Sequence, residues 1–276
     1  MKIEPEKKHI KGPAGWALVL SLVLCACSSP EERDLDRALS EAQKGHHRTS
    51  ITYFERVLKR SPTSSTALQA AREGAKVSVF DLKDFKKAII FYRHLILESP
   101  DPKEREAAQK DLANVAFENL NDYEMAAKEY SKLMGLNLPF SEKSRFQISL
   151  ARSYFYLGQF EQAASEIEAL LKERLEDRVR FDALTLKGHI LVSKKDFVAA
   201  ASVYQQVLKE FPKRSVVENV ALQLAVCHEE NQDYRAAIQV LEGAVTSANN
   251  RDYVELRIKR LQERLRNQPG ARGYRK

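Results

Sequence analysis

One pattern runs through most of this 276-residue chain and constrains the fold more than any other feature. A polar residue and an aromatic precede a small residue by four and three positions. The clearest copies are Gln159-Phe160 with Ala163, Asp196-Phe197 with Ala200, and Asp233-Tyr234 with Ala237. Asp84-Phe85 with Ala88 and Asp122-Tyr123 with Ala126 repeat it, and a weaker first copy ends at Ser50. Successive small residues are spaced by 38, 38, 37, 37 and 37 positions. Self-similarity at a fixed period of this size indicates stacked supersecondary units rather than one globular core.

The residues after each small anchor show what the unit is. Four positions on stand Phe54, Tyr92, Tyr130, Ile167, Tyr204 and Leu241. Three further on stand Val57, Leu95, Leu133, Leu170, Val207 and Ala244. Apolar residues at i, i+4 and i+7 make one face of a helix. Pro62, Pro100 and Pro212 stop three of these helices, and Pro139 stops the third copy one residue later, because proline cannot continue a helix. The unit is a pair of antiparallel helices, and the anchor is small because the two cross there. Ala151, Gly188 and Ala225 are the matching small residues of the first helix in repeats four to six. Repeats two and three depart there, with Lys76 and Asn114. Only 10 Gly and 9 Pro occur, too few for the many tight turns of a β-sandwich or barrel. The expected class is all-α.

These marks resemble the tetratricopeptide repeat, which carries Leu-Gly and Tyr in its first helix, Ala and an aromatic in its second, then Pro. The resemblance covers residues 33–248 and implies a helical-hairpin solenoid of about six repeats. The period exceeds the usual 34 by three or four residues, so longer helices or loops are expected. Residues 249–266 read as a capping helix, with Val254, Leu256, Ile258, Leu261 and Leu265 on its apolar side. A solenoid needs such a cap with a polar outer face. Residues 267–276 read as a basic tail without regular structure.

Residues 1–26 read as an address. Lys2, Lys7, Lys8 and Lys11 precede an uncharged run from Ala14 to Ala26. Thirteen helical residues span roughly 20 Å, short of the roughly 30 Å hydrocarbon core. A basic start, a short apolar run and a small terminal residue describe a secretory signal. Leu24-Cys25-Ala26-Cys27 resembles a bacterial lipobox. That resemblance implies cleavage before Cys27 and acylation of its thiol and freed amine. Several acyl chains give stable anchoring where one is marginal. Ser28 in place of Asp implies transfer to the outer membrane. Residues 27–32 are then the lipidated Cys and a short tether, and the fold faces the periplasm.

The formal charge of +7 is unevenly distributed. Residues 27–250 hold 32 basic against 33 acidic side chains, whereas residues 251–276 hold nine against three. Arg257, Lys259, Arg260, Arg264 and Arg266 form a basic C-terminal patch. It reads either as the solvated face of a cap or as a contact for an acidic partner. Nucleic acid is disfavoured as a partner by the expected compartment and by the lack of any nucleic-acid-binding motif.

No catalytic or metal-ligating constellation appears, and no cofactor is expected. His46-His47 reads as a solvated turn, and Cys227 as buried apolar filler. The repeat resemblance implies a concave groove, lined by the first helix of each repeat, that holds partner peptides or envelope proteins. By position it would include Asp111, Val115 and Glu118, then Arg145, Ile148, Arg152, Phe155 and Tyr156, then Asp182, Thr185, His189 and Val192. Tyr154 is expected in the core. The expected function is a non-enzymatic scaffold in cell-envelope assembly. The plan of anchor plus array is similar to the lipoprotein subunit of the β-barrel assembly machine and to pilotins of pilus secretins. A peptidoglycan-acting enzyme, or its regulatory subunit, is the reading from another class.

Overall fold

The computed structural model describes residues 29–245 and 251–268. The signal segment, Cys27 and the tail from 269 onward lie outside the described residues. Six antiparallel helical hairpins follow one another in chain order. The first pairs α1 (Pro30–Gln43) with α2 (His47–Arg60). The second pairs α3 (Ser65–Lys76), continued by a π-helical turn at Val77–Asp81, with α4 (Phe85–Glu98). The third pairs α5 (Pro102–Asn114), continued by a π turn at Val115–Asn119, with α6 (Tyr123–Met134). Then α7 (Phe140–Tyr156) pairs with α8 (Phe160–Leu171), and α9 (Asp177–Ser193) with α10 (Phe197–Glu210). The sixth first helix is broken into α11 (Pro212–Val217) and α12 (Val220–Glu230), and pairs with α13 (Tyr234–Ala244). Finally α14 (Arg251–Asn267) packs on α13. Among the described residues there is no strand. The architecture is the expected all-α solenoid with a capping helix.

All six anchors, Ser50, Ala88, Ala126, Ala163, Ala200 and Ala237, are fully buried. Helix axes in contact sit 8–10 Å apart, so a larger side chain at the crossing would push them apart. Gly188 shows how tight the crossing is. A Cβ placed there would lie 2.5 Å from the ring of Tyr204, which is itself buried. Gly74 meets Phe91 in the same way, at 2.6 Å.

The turn inside every hairpin has one backbone solution. The residue five before each anchor is left-handed: Gly45, Lys83, Asn121, Gly158, Lys195 and Gln232. The next residue caps the second helix. Asp84, Asp122, Asp196 and Asp233 each accept the backbone N–H three residues on, at 2.9–3.1 Å. A cap of this kind contributes about 1 kcal/mol. The aspartate read from sequence as a turn residue therefore starts the helix.

The two 38-residue steps are the two that contain a π turn. A π turn takes up one residue more than the α-helical turn it replaces. Counted with that extra residue, the small crossing residues of repeats two and three are Ala75 and Ala113, both buried. Lys76 and Asn114 are their outward neighbours, and the apparent departure of these repeats is a one-residue shift. Lys76 is exposed, and Asn114 accepts a hydrogen bond from the Tyr130 hydroxyl at 2.9 Å.

Three further details differ from the sequence reading. Helix α1 starts at Pro30, three residues before the assigned start of the array. Its capping box explains this: Ser29 Oγ accepts from Glu32 N–H at 3.2 Å, and Glu32 accepts from Ser29 N–H at 2.8 Å. Helix α6 ends at Met134, well before Pro139, which instead precedes the first residue of α7. On α14, Val254, Ile258 and Leu261 are buried but Leu256 is 48% exposed. Two residues turn a helix by about 200°, so Leu256 cannot share the face of Val254.

Candidate functional site

Successive first helices line one face of the array, and ion pairs join them along it. Arg72 on α3 pairs with Glu104 on α5, and Lys110 on α5 with Glu142 on α7. Arg145 on α7 pairs with Glu176 at the start of α9 at 3.5 Å, and Asp182 on α9 with Arg214 on α11 at 2.6 Å. Between these contacts two cavities open.

The larger, about 420 Å³, lies between α7 and α9 and reaches α11. Of the residues expected in the groove, Arg152, Phe155, Tyr156, Asp182 and His189 line it. Thr185 does so as well, and its Oγ1 is buried without a hydrogen-bond partner. The Arg214 guanidinium sits 4.0 Å over the Phe181 ring while it pairs with Asp182. Arg152 and Arg178 have no ion-pair partner among the described residues, so they are available to an anionic group.

Aromatic rings continue this cavity toward the third repeat. Tyr156, 56% exposed, stacks on Tyr123 with centroids 4.7 Å apart. Phe117 meets both edge-on, at 5.4 and 5.8 Å. Phe155 lies 5.6 Å from Tyr156 and 6.5 Å from His189. Burial pushes His189 below the ordinary imidazole value, against its 3.2 Å contact with Gln223. The neighbouring Arg152 lowers it further, so the ring is neutral at pH 7 and one of its nitrogens remains an acceptor.

The second cavity, about 360 Å³, lies between α3 and α5. Asp111 lines it, together with Tyr92, Val79 and the strongly exposed Phe80 of the first π turn. Burial pushes the Asp111 carboxyl up from the ordinary aspartate value, and Lys110 partly offsets this.

Other expected groove residues lie elsewhere. Ile148 is 5% exposed and belongs to the core between α7, α8 and α9. Val115 is likewise buried, but it does line the second cavity together with Asp111. Arg145 is exposed and paired with Glu176, outside both cavities. Val192 packs on the core of the fifth repeat, as Tyr154 does on that of the third and fourth. Sequence reasoning missed Arg178, Phe181 and Arg214. Arg214 follows Pro212, in a stretch that reads as a connection but forms a helix. Phe117 was obscured by the π turn that places it.

The basic C-terminal patch divides in two. Arg257 and Arg264 both bind Glu229 of the sixth repeat, at 2.9 and 2.6 Å, and so fasten the cap. Lys259, Arg260 and Arg266 form no ion pair among the described residues and stay exposed. His46 stands at the N-cap position of α2 but its side chain makes no capping hydrogen bond there, and its Nδ1 lies 2.7 Å from Glu41 Oε2. Cys227 is buried, and burial pushes its thiol up to about 11. Among the described residues no group of three His, Cys, Asp or Glu side chains could hold a metal ion. None of the described helices is long and apolar enough to cross a membrane.

Comparisons with known proteins agree with this geometry. Two family models described as tetratricopeptide repeat match residues 148–215 and 191–262. No curated protein matches the chain. Among solved structures, a tetratricopeptide repeat protein from Parabacteroides merdae is similar with TM-score 0.54 and 13% identity, covering 84% of this chain and 87% of its own. YrrB, described as a TPR protein with an unusual peptide-binding site, is similar with TM-score 0.52 and 13% identity, over 75% of this chain and 97% of its own. PilW, a type IV pilus biogenesis factor, is similar with TM-score 0.50 and 13% identity, over 77% of this chain and 91% of its own. The chain therefore carries tetratricopeptide repeats over residues 148–262 and folds throughout its described length as a TPR-like solenoid, a fold typical of protein-interaction scaffolds.

Proposed function

We propose that this protein is a lipid-anchored scaffold of the bacterial cell envelope. In this reading it is held to the outer membrane through Cys27, faces the periplasm, and binds segments of envelope proteins in its concave groove. The observation that carries the groove is the cavity between α7 and α9. It brings Arg152, Phe155, Tyr156, Asp182 and His189 to one surface from two helices. An exposed tyrosine, a half-buried phenylalanine and unpaired arginines are residue types that anchor protein interfaces. The anchor rests on the signal pattern ending at Cys27. Cys27→Ser should release the protein from membranes into the soluble periplasmic fraction, and continued membrane retention would refute lipidation there.

Of the two envelope roles the plan resembles, the pilus-related one is the first reading, because PilW, described as a type IV pilus biogenesis factor, has a similar fold. The β-barrel assembly machine is the alternative. Clear turnover of cell-wall material by the purified protein, abolished by one carboxylate substitution, would replace the scaffold reading with an enzymatic one.

A further inference from the structure

The two groove cavities differ in charge, and the difference has a direction along the array. Between α3 and α5, Asp111 is the carboxylate left without an ion-pair partner among the described residues. The other charges lining that cavity are engaged. Arg72 is bound by Glu104, and Lys76 by Glu73 at 2.8 Å. Tyr92 and Phe80 stand beside Asp111 in the lining. Phe80 is 74% exposed, an unusual position for a large apolar ring, and the π turn puts it there. An anionic head group among aromatic rings suits a Lys or Arg side chain, whose stem packs on the rings while its cation meets the carboxylate. Burial pushes Asp111 above its ordinary value, and Lys110, itself bound to Glu142, offsets this only in part, so a cation brought by a partner would stabilise the carboxylate further.

Between α7 and α9 the situation is reversed. Arg214 is engaged by Asp182, and Arg152 and Arg178 remain unpaired against Glu218 alone. Two free guanidiniums beside the exposed ring of Tyr156 suit a carboxylate side chain.

The geometry points to a groove that reads an extended segment of a partner protein in one orientation. A basic side chain of that segment sits against Asp111, and an acidic one against Arg152 and Arg178. The cavities are two repeats apart. At 8–10 Å between neighbouring helices they are separated by about 20 Å, the reach of about six extended residues. This assignment rests on the scaffold reading and adds to it the charge, order and spacing of what is bound.

The test is selection of displayed random twelve-residue peptides on the full chain in detergent. The expected result is enrichment of peptides that carry a basic and an acidic residue in one fixed order, about six residues apart. For a synthetic copy of the most enriched peptide, Asp111→Asn should weaken binding about tenfold. Replacing the basic residue of the peptide should then cost nothing further in that variant. Arg152→Gln with Arg178→Gln should do the same for the acidic residue alone. Circular dichroism identifies any variant that fails to fold, and the two peptide substitutions read against the unaltered protein then decide. Enrichment without a fixed charge order, or charge preferences that the variants leave unchanged, overturns the assignment while the groove reading stands. If the folded full chain enriches no peptide, the groove reading itself fails.

Discussion

At the scale of single residues, the fold depends on where a side chain has no room. Gly188 and Gly243 both lie in helices, but a Cβ at Gly188 meets Tyr204 at 2.5 Å, whereas one at Gly243 meets nothing within 4 Å. Helix propensity alone favours alanine at both positions by roughly 0.8–1.0 kcal/mol. Gly188→Ala should nevertheless destabilise the protein by about 1–3 kcal/mol, because the buried Tyr204 ring cannot give way. Gly243→Ala should stabilise it by about 0.5–1 kcal/mol. Urea unfolding of the two variants measures both signs, and equal shifts would remove the crossing as the cause. Cys227 gives a second check on burial. With its thiol fully covered and pushed up to about 11, it should resist iodoacetamide at pH 8 until the chain unfolds. Mass spectrometry of the peptide that contains Cys227 reads this directly.

At the scale of elements, each hairpin uses the same turn, but the residue types at its left-handed position vary. Gly45 and Gly158 suit it without strain, whereas Lys83, Lys195 and Gln232 do not announce it. The turn is legible only from its spacing to the anchor. The π turns were not legible at all. Their trace in sequence was a spacing of 38 instead of 37, and it was read as a departure at Lys76 and Asn114. The surplus residue can be tested by removing it. Deleting the exposed Phe80 should let α3 run on as an unbroken helix, at a cost below about 1 kcal/mol. Deleting the exposed Tyr156 from α7, which has no surplus, should rotate the following turn by about 100° and cost more than about 2 kcal/mol. Comparable losses in the two deletions would contradict the one-residue account. The break between α11 and α12 falls at Glu218 and Asn219, where Asn219 is left-handed with φ 54°. An asparagine in a helical pattern does not distinguish that break from an ordinary polar position, and the sequence reading did not foresee it.

For the whole molecule, the helical pairing and the groove were legible because anchors six times repeated determine which face of each helix is buried. Arg152, Phe155, Tyr156, Asp182 and His189 share the cavity between α7 and α9 for that reason. Ile148 does not, because adjacent positions on a helix differ by 100°, and a stacked repeat buries its first helix on more than one side; Val115, though buried, lines the cavity between α3 and α5. Charge arithmetic located the basic excess but not its division into Arg257 and Arg264, which hold the cap to Glu229, and Lys259, Arg260 and Arg266, which are unengaged. The central claim is that partners dock on the concave face. It is tested most directly by placing a photo-activated crosslinking residue at one position in living cells. The account predicts discrete crosslinked partners from position 156, which lines the cavity between α7 and α9, and none from position 97, a still more exposed leucine on α4 outside both cavities. The same products from both positions, or partners captured only from position 97, would contradict it.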